Sequence, residues 1–178
     1  MMRARDFGWW RVDGPSREGG GESVQDAYKP GRLEGAKVLI VDDDRDVLES
    51  MNVAFRSEGA LTMMVTDGNA AVDACVAHEP DLVILDVMLP GRSGFLALER
   101  IKGRENSPVV IMVTANEGQR HKAYAESLGV DGYLFKPVPL ETLLEESASA
   151  LKKVSWTPSP LDDDDDDDDD YDDGEDEN

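Results

Sequence analysis

The chain has 178 residues, 40% of them hydrophobic, which is enough for one domain of ordinary size with tails around a real core. Its formal net charge of -21 argues against direct binding to nucleic acid, although the charge is uneven: residues 155 to 178 carry 14 acids and no base, residues 1 to 35 carry six of each, and residues 36 to 154 hold 12 bases against 19 acids. No apolar run approaches the roughly 18 residues of a membrane span, and the N-terminus, with Arg3, Arg5, Asp6 and Arg11, lacks the apolar stretch of a signal peptide. A lone Cys75 excludes an intramolecular disulfide, so a cytoplasmic location is expected.

Residues 1 to 35 show no sustained period and include Gly19, Gly20 and Gly21 with Pro15, Pro30 and Gly31, which predicts a flexible leader. Trp9 and Trp10 stand out there, either as a docking handle or as part of a plain extension. From Ala36 the pattern changes. Short apolar runs at Lys37 to Val41, Leu61 to Val65, Leu82 to Leu85, Val109 to Val113 and Tyr133 to Phe135 alternate with stretches of helical spacing near 44–58, 68–78, 93–104, 117–128 and 140–153. Three of the runs are nearly continuous and rich in Val and Ile, as expected for strands covered on both faces. Five strands alternating with five helices predict an α/β fold, a five-stranded parallel doubly wound sheet flanked by five helices, over residues 36–154. After Pro158 comes a run of aspartates, Asp162 to Asp170, which repels itself and cannot bury apolar surface; residues 155–178 are therefore predicted to be a disordered acidic tail.

In doubly wound sheets the functional site lies beyond the carboxyl ends of the strands. Those ends carry Asp42 and Asp43 after the first run, Asp86 after the third, Thr114 after the fourth and Lys136 after the fifth. Three carboxylates in one pocket repel one another, at about 3 kcal/mol per pair for a separation of ~5 Å and an effective dielectric of ~20. Such a cluster calls for a cation, and hard oxygen ligands favour Mg²⁺, which commonly binds one or two carboxylates together with a phosphoryl group. Lys136 adds positive charge and Thr114 a hydroxyl donor, so the set fits phosphoryl transfer to a carboxylate. Asp44 and Asp46 read as helix-terminal acids suited to the helix dipole. His78 and His121 fall in or beside helices and read as surface or cap residues.

The segments Val38-Leu39-Ile40-Val41-Asp42-Asp43-Asp44, Leu85-Asp86-Val87-Met88-Leu89-Pro90-Gly91, Val113-Thr114-Ala115 and Lys136-Pro137 resemble, in order and spacing, the motifs of response-regulator receiver domains of two-component systems. The resemblance covers residues 36 to about 153 and implies a CheY-like fold. It makes Asp86 the phospho-acceptor and Asp43 a direct Mg²⁺ ligand. Asp42 would bind Mg²⁺ through water, and the backbone carbonyl of Met88 would be a further ligand. It further implies that Thr114 and Lys136 contact the phosphoryl group, that Thr114 and Tyr133 form a switch in which Tyr133 turns inward, and that the Lys136-Pro137 bond is cis and aims the lysine into the pocket. Met88 and Asn116 match positions that tune dephosphorylation. Ser93 stands where an acid is frequent, and Val138 where an aromatic often follows Lys-Pro.

The implied function is that of a single-domain response regulator: not an enzyme, but a phosphoprotein that promotes its own phosphotransfer and dephosphorylation. Its partners would be a sensor histidine kinase or histidine phosphotransfer protein and a downstream effector that the sequence does not identify, with no nucleic acid and no membrane. Other nucleotide-binding readings fail on the residues: the turn after Val41 is acidic where a flavodoxin needs a phosphate cradle, and it has no Gly-x-Gly-x-x-Gly. An aspartyl phosphatase would need a second aspartate where Met88 stands. A degenerate receiver, acting through protein contacts alone, keeps the fold but would not need Asp42, Asp43, Asp86, Thr114 and Lys136 together.

Overall fold

A computed structural model describes residues 30–115 and 118–157 of the protein. Trp9, Trp10, Asn116 and the aspartate run lie outside the described residues.

Five parallel strands, β1 Lys37–Val41, β2 Leu61–Val65, β3 Leu82–Leu85, β4 Val109–Thr114 and β5 Gly132–Phe135, form one sheet in the order β2-β1-β3-β4-β5. Between and after them run α1 Arg45–Ser57, α2 Gly68–His78, α3 Gly94–Lys102, α4 Gln119–Ser127 and α5 Leu140–Lys153. The doubly wound α/β fold expected from the alternation is the fold observed. The central strands β3 and β4 are buried along their whole length, which is why their sequences are almost unbroken apolar runs.

Alternation along each strand builds two cores. Val38, Ile40, Ile84, Ile111 and Val113 point to one face, against Leu48, Met51 and Phe55 of α1 and Leu143 and Leu151 of α5. Leu39, Val41, Leu85, Val110 and Met112 point to the other, against Ala71 and Cys75 of α2, Leu98 and Ile101 of α3 and Ala125 of α4. Cys75 is buried among them, and burial pushes its thiol up to about 12.

The domain extends past its expected limits at both ends. Leu33, expected in the flexible leader, is fully buried with Phe55 and Leu151. Backbone bonds from Leu33 to Glu58 and from Gly35 to Gly59 hold this stretch to the end of α1. Arg32 forks across Glu58 and Glu141 at 2.7 and 2.6 Å, joining it to α1 and α5. At the other end Trp156, expected in the tail, packs partly buried on the α1–α5 core. A single buried leucine and a single tryptophan have no periodicity to announce them; long-range packing makes them part of the fold.

Candidate functional site

Strand order places the site. The chain leaves β1 toward β2 on one side and later returns to β3 on the other, so a crevice opens between the ends of β1 and β3. Asp42 follows β1 and Asp86 follows β3, in adjacent strands joined by the Asp86 N–H to the Val41 carbonyl at 3.0 Å. Thr114 ends β4, one residue further into the strand than the apolar run suggested, and the Lys136 N–H donates to its carbonyl at 2.9 Å.

The two buried carboxylates are held alike. Oδ1 of Asp42 accepts from the Asp44 N–H at 2.9 Å, and Oδ1 of Asp86 accepts from the Met88 N–H at 3.2 Å, so each loop closes on its own acid two residues back. Both Oδ2 atoms face Lys136, whose Nζ donates to Asp42 at 2.5 Å and to Asp86 at 2.9 Å. Asp42 and Asp86 are buried while Asp43 is exposed, and one carboxylate oxygen from each lies within 4.8 Å of the others. Burial lowers the Lys136 ammonium, but hydrogen bonds and charge from Asp42 and Asp86 outweigh it and leave the group above its ordinary value.

Three carboxylates against one ammonium leave negative charge in a pocket made of oxygen donors. That donor set suits a hard divalent cation, and Asp42, Asp43 and Asp86 are the residues that could hold Mg²⁺.

Other expected residues lie on the elements around this centre. Thr114 is fully buried beside it in the next strand. Tyr133 lies opposite Met112 in the β4–β5 register, its ring packed on the α2–α4 core and edge-on to Phe135 at 5.4 Å. Its hydroxyl is enclosed without a hydrogen-bond partner among the described residues, and burial, with the charge of Asp86 added, pushes that hydroxyl up. The Lys136-Pro137 bond is cis. Asp44 caps α1, accepting from the N–H groups of Asp46 and Val47, and Asp46 sits in the first turn. His78 ends α2, whereas His121 is half-buried with its ring 5.6 Å from that of Phe95.

One contributor escaped the sequence reading. A Cβ on Gly94 would sit 2.0 Å from the carbonyl oxygen of Asp86, so the first residue of α3 must lack a side chain for the strand end carrying Asp86 to keep its place. The only cue was a Ser-Gly pair opening a helix.

The model of the response regulator receiver domain family matches residues 38–148. The chain belongs to that family. The receiver domain is also similar to solved structures. A CheY-like response regulator receiver domain protein from Methanospirillum hungatei JF-1 is 26% identical, with a TM-score of 0.65 over 67% of this chain and 96% of that one. The receiver domain of a Francisella response regulator is 25% identical, with a TM-score of 0.63 over 67% of this chain and 98% of that one. The signal receiver domain of a modulated diguanylate cyclase from Desulfovibrio desulfuricans G20 is also 25% identical, at a TM-score of 0.62. Receiver domains are phospho-accepting signalling domains of two-component systems, and the acidic pocket of this one is compatible with Mg²⁺. Among the described residues no helix is long and apolar enough to cross a membrane.

Proposed function

We propose that Asp86 accepts a phosphoryl group from a histidine kinase or histidine phosphotransfer protein, and that the phosphorylated domain signals through a changed protein-interaction surface. The observation that carries this reading is the place of Asp86: just past the end of the central strand β3, with Asp42 and Asp43 after β1 on one side and, on the other, Thr114 ending β4 and Lys136 following β5. A carboxylate oxygen of Asp86 attacks phosphorus as the bond to the donor imidazole nitrogen breaks, and the nitrogen keeps the electron pair. Mg²⁺, held by Asp43, Asp86, the Met88 carbonyl and, through water, Asp42, would neutralise charge on the phosphoryl oxygens.

Lys136 holds the carboxylate in place before transfer, and its ammonium then passes from Asp86 to a phosphoryl oxygen. The Thr114 hydroxyl turns toward another phosphoryl oxygen. Tyr133, whose enclosed hydroxyl has no hydrogen-bond partner among the described residues, packs further inward as the Thr114 side chain moves, and this changes the surface of α4, β5 and α5. A cleft of about 600 Å³ lined by Val47, Met51, Pro137, Val138 and Leu140 opens beside Lys136 and offers the donor protein an apolar footing. On this reading the chain works in the cytoplasm, where donors charged from ATP are found, and it also promotes hydrolysis of its own acyl phosphate.

The test is intact mass after exposure to acetyl phosphate with Mg²⁺. One added phosphoryl group, about 80 Da, is expected, and none for Asp86→Ala. An unchanged mass in a folded parent protein would leave a receiver that works by contact alone.

A further inference from the structure

The charge of the domain is segregated. Residues 91–130 hold six of the 12 Lys and Arg found between 36 and 154 but only four of the 19 acids. In three dimensions this stretch is α3, β4 and α4. The helices α3 and α4 meet through the Phe95 ring, 5.4 Å from that of Tyr124. Leu96 and Tyr124 remain about half exposed, at 50% and 48%. Arg100 and Arg120 lie four residues from them, so each shares a helix face with its apolar neighbour. Both arginines are exposed and make no ion pair among the described residues. The result is an apolar strip bordered by Arg100 and Arg120, with the exposed Glu99 as the acid on the same side of α3.

The chain itself holds the complement. Residues 158–178 carry 14 acids and no base. They follow Trp156, which lines a cleft together with Lys102, the last residue of α3, and with Glu79, Asp81, Glu105 and Asp131. The acids at this point repel an acidic segment, while α3 leads away from it toward Arg100. Asp162 comes six residues after Trp156, a reach of about 20 Å, and a nine-residue helix is only about 14 Å long. The aspartates can therefore lie along both helices without strain on the chain.

We infer that the acidic segment 158–178 docks on the face between α3 and α4, with its carboxylates on Arg100 and Arg120. The contact is intramolecular, so a high local concentration offsets the weakness of each exposed ion pair. Any protein that reads α4 must displace it. The inference stands apart from the phosphorylation of Asp86.

The experiment places a nitroxide label on Gly174→Cys in the full chain and follows backbone amide intensities by NMR. Cys75 is buried, so the reagent takes the introduced thiol. At about 0.01 M salt, where the Debye length is ~30 Å, the amides of Leu96, Arg100, Arg120 and Tyr124 should lose at least half their intensity. At about 1 M salt, where the Debye length is ~3 Å, that loss should vanish. It should vanish equally in a chain carrying Arg100→Glu and Arg120→Glu, and in one with every aspartate from Asp162 to Asp170 changed to Asn, which leaves the domain untouched. Attenuation spread evenly over the domain, or undiminished by charge reversal, overturns the inference. So does attenuation of unlabelled isotope-enriched chains mixed with labelled ones, which would mean a second copy is the occupant.

Discussion

Lys136 Nζ lies 2.9 Å from Oδ2 of Asp86, so the residue proposed to receive a phosphoryl group is already engaged by the lysine proposed to contact that group. The same ammonium also binds Asp42, and it is the cation that holds two buried carboxylates together in the protein without metal.

Removing it should be costly. Lys136→Ala strands two buried carboxylates, and the metal-free protein should lose roughly 3 kcal/mol, the lower end for breaking a buried pair, because the lysine is partly exposed. Mg²⁺ should restore more stability to the variant than to the parent, since Lys136 is not among the proposed ligands. Urea melts with and without Mg²⁺ check this; a variant as stable as its parent without metal would refute the role given to the lysine.

Asp43→Asn should act in the opposite direction. Asp43 is the exposed member of the cluster and its carboxylate adds to the repulsion, so the amide should stabilise the metal-free protein by up to about 1 kcal/mol. Most of the Mg²⁺-dependent rise in melting temperature should disappear with it. If the variant melts lower and responds to Mg²⁺ like the parent, Asp43 is not a ligand.

The Arg32 fork sets an acid-side dependence. Hydrogen bonds from Arg32 hold the carboxyls of Glu58 and Glu141 below their ordinary range. Groups depressed in the folded state contribute stability above their unfolded value, about 4.3, and lose it as pH falls through the folded value. The parent should therefore lose more melting temperature below about pH 4.3 than Arg32→Ala does. Parallel curves would show that the fork contributes nothing.

The domain boundary can be tested at Leu33. Fully buried, it should cost roughly 2–4 kcal/mol when changed to Ala, whereas a residue of a flexible leader would cost nothing measurable. Denaturant melts of Leu33→Ala distinguish the two.

Much of this architecture is legible in the sequence. The limits of β1 and β3 follow their apolar runs to the residue, because strands covered on both faces tolerate almost no polar interruption, and those of the edge strand β2 follow its run as well. The site was legible for the same reason: each run stops at the residue that faces the crevice. What escaped depends on contacts distant in sequence. Leu33 and Trp156 join the core with no pattern of their own, Gly94 matters through the backbone of Asp86, and the closure of Lys136 on Asp42 spans nearly the whole domain. Thr114 belongs to β4 although its side chain is polar, since a buried strand end tolerates a hydroxyl where its middle does not.

The central claim is that, of three carboxylates sharing this pocket, Asp86 is the one that takes the phosphoryl group. Borohydride reduction of the phosphorylated protein converts an aspartyl phosphate to homoserine, and peptide mass mapping then locates it. Conversion at Asp86, with Asp42 and Asp43 recovered as aspartate, is the expected result. Homoserine at Asp42 or Asp43, or at none of the three in a protein whose mass has risen, would contradict it.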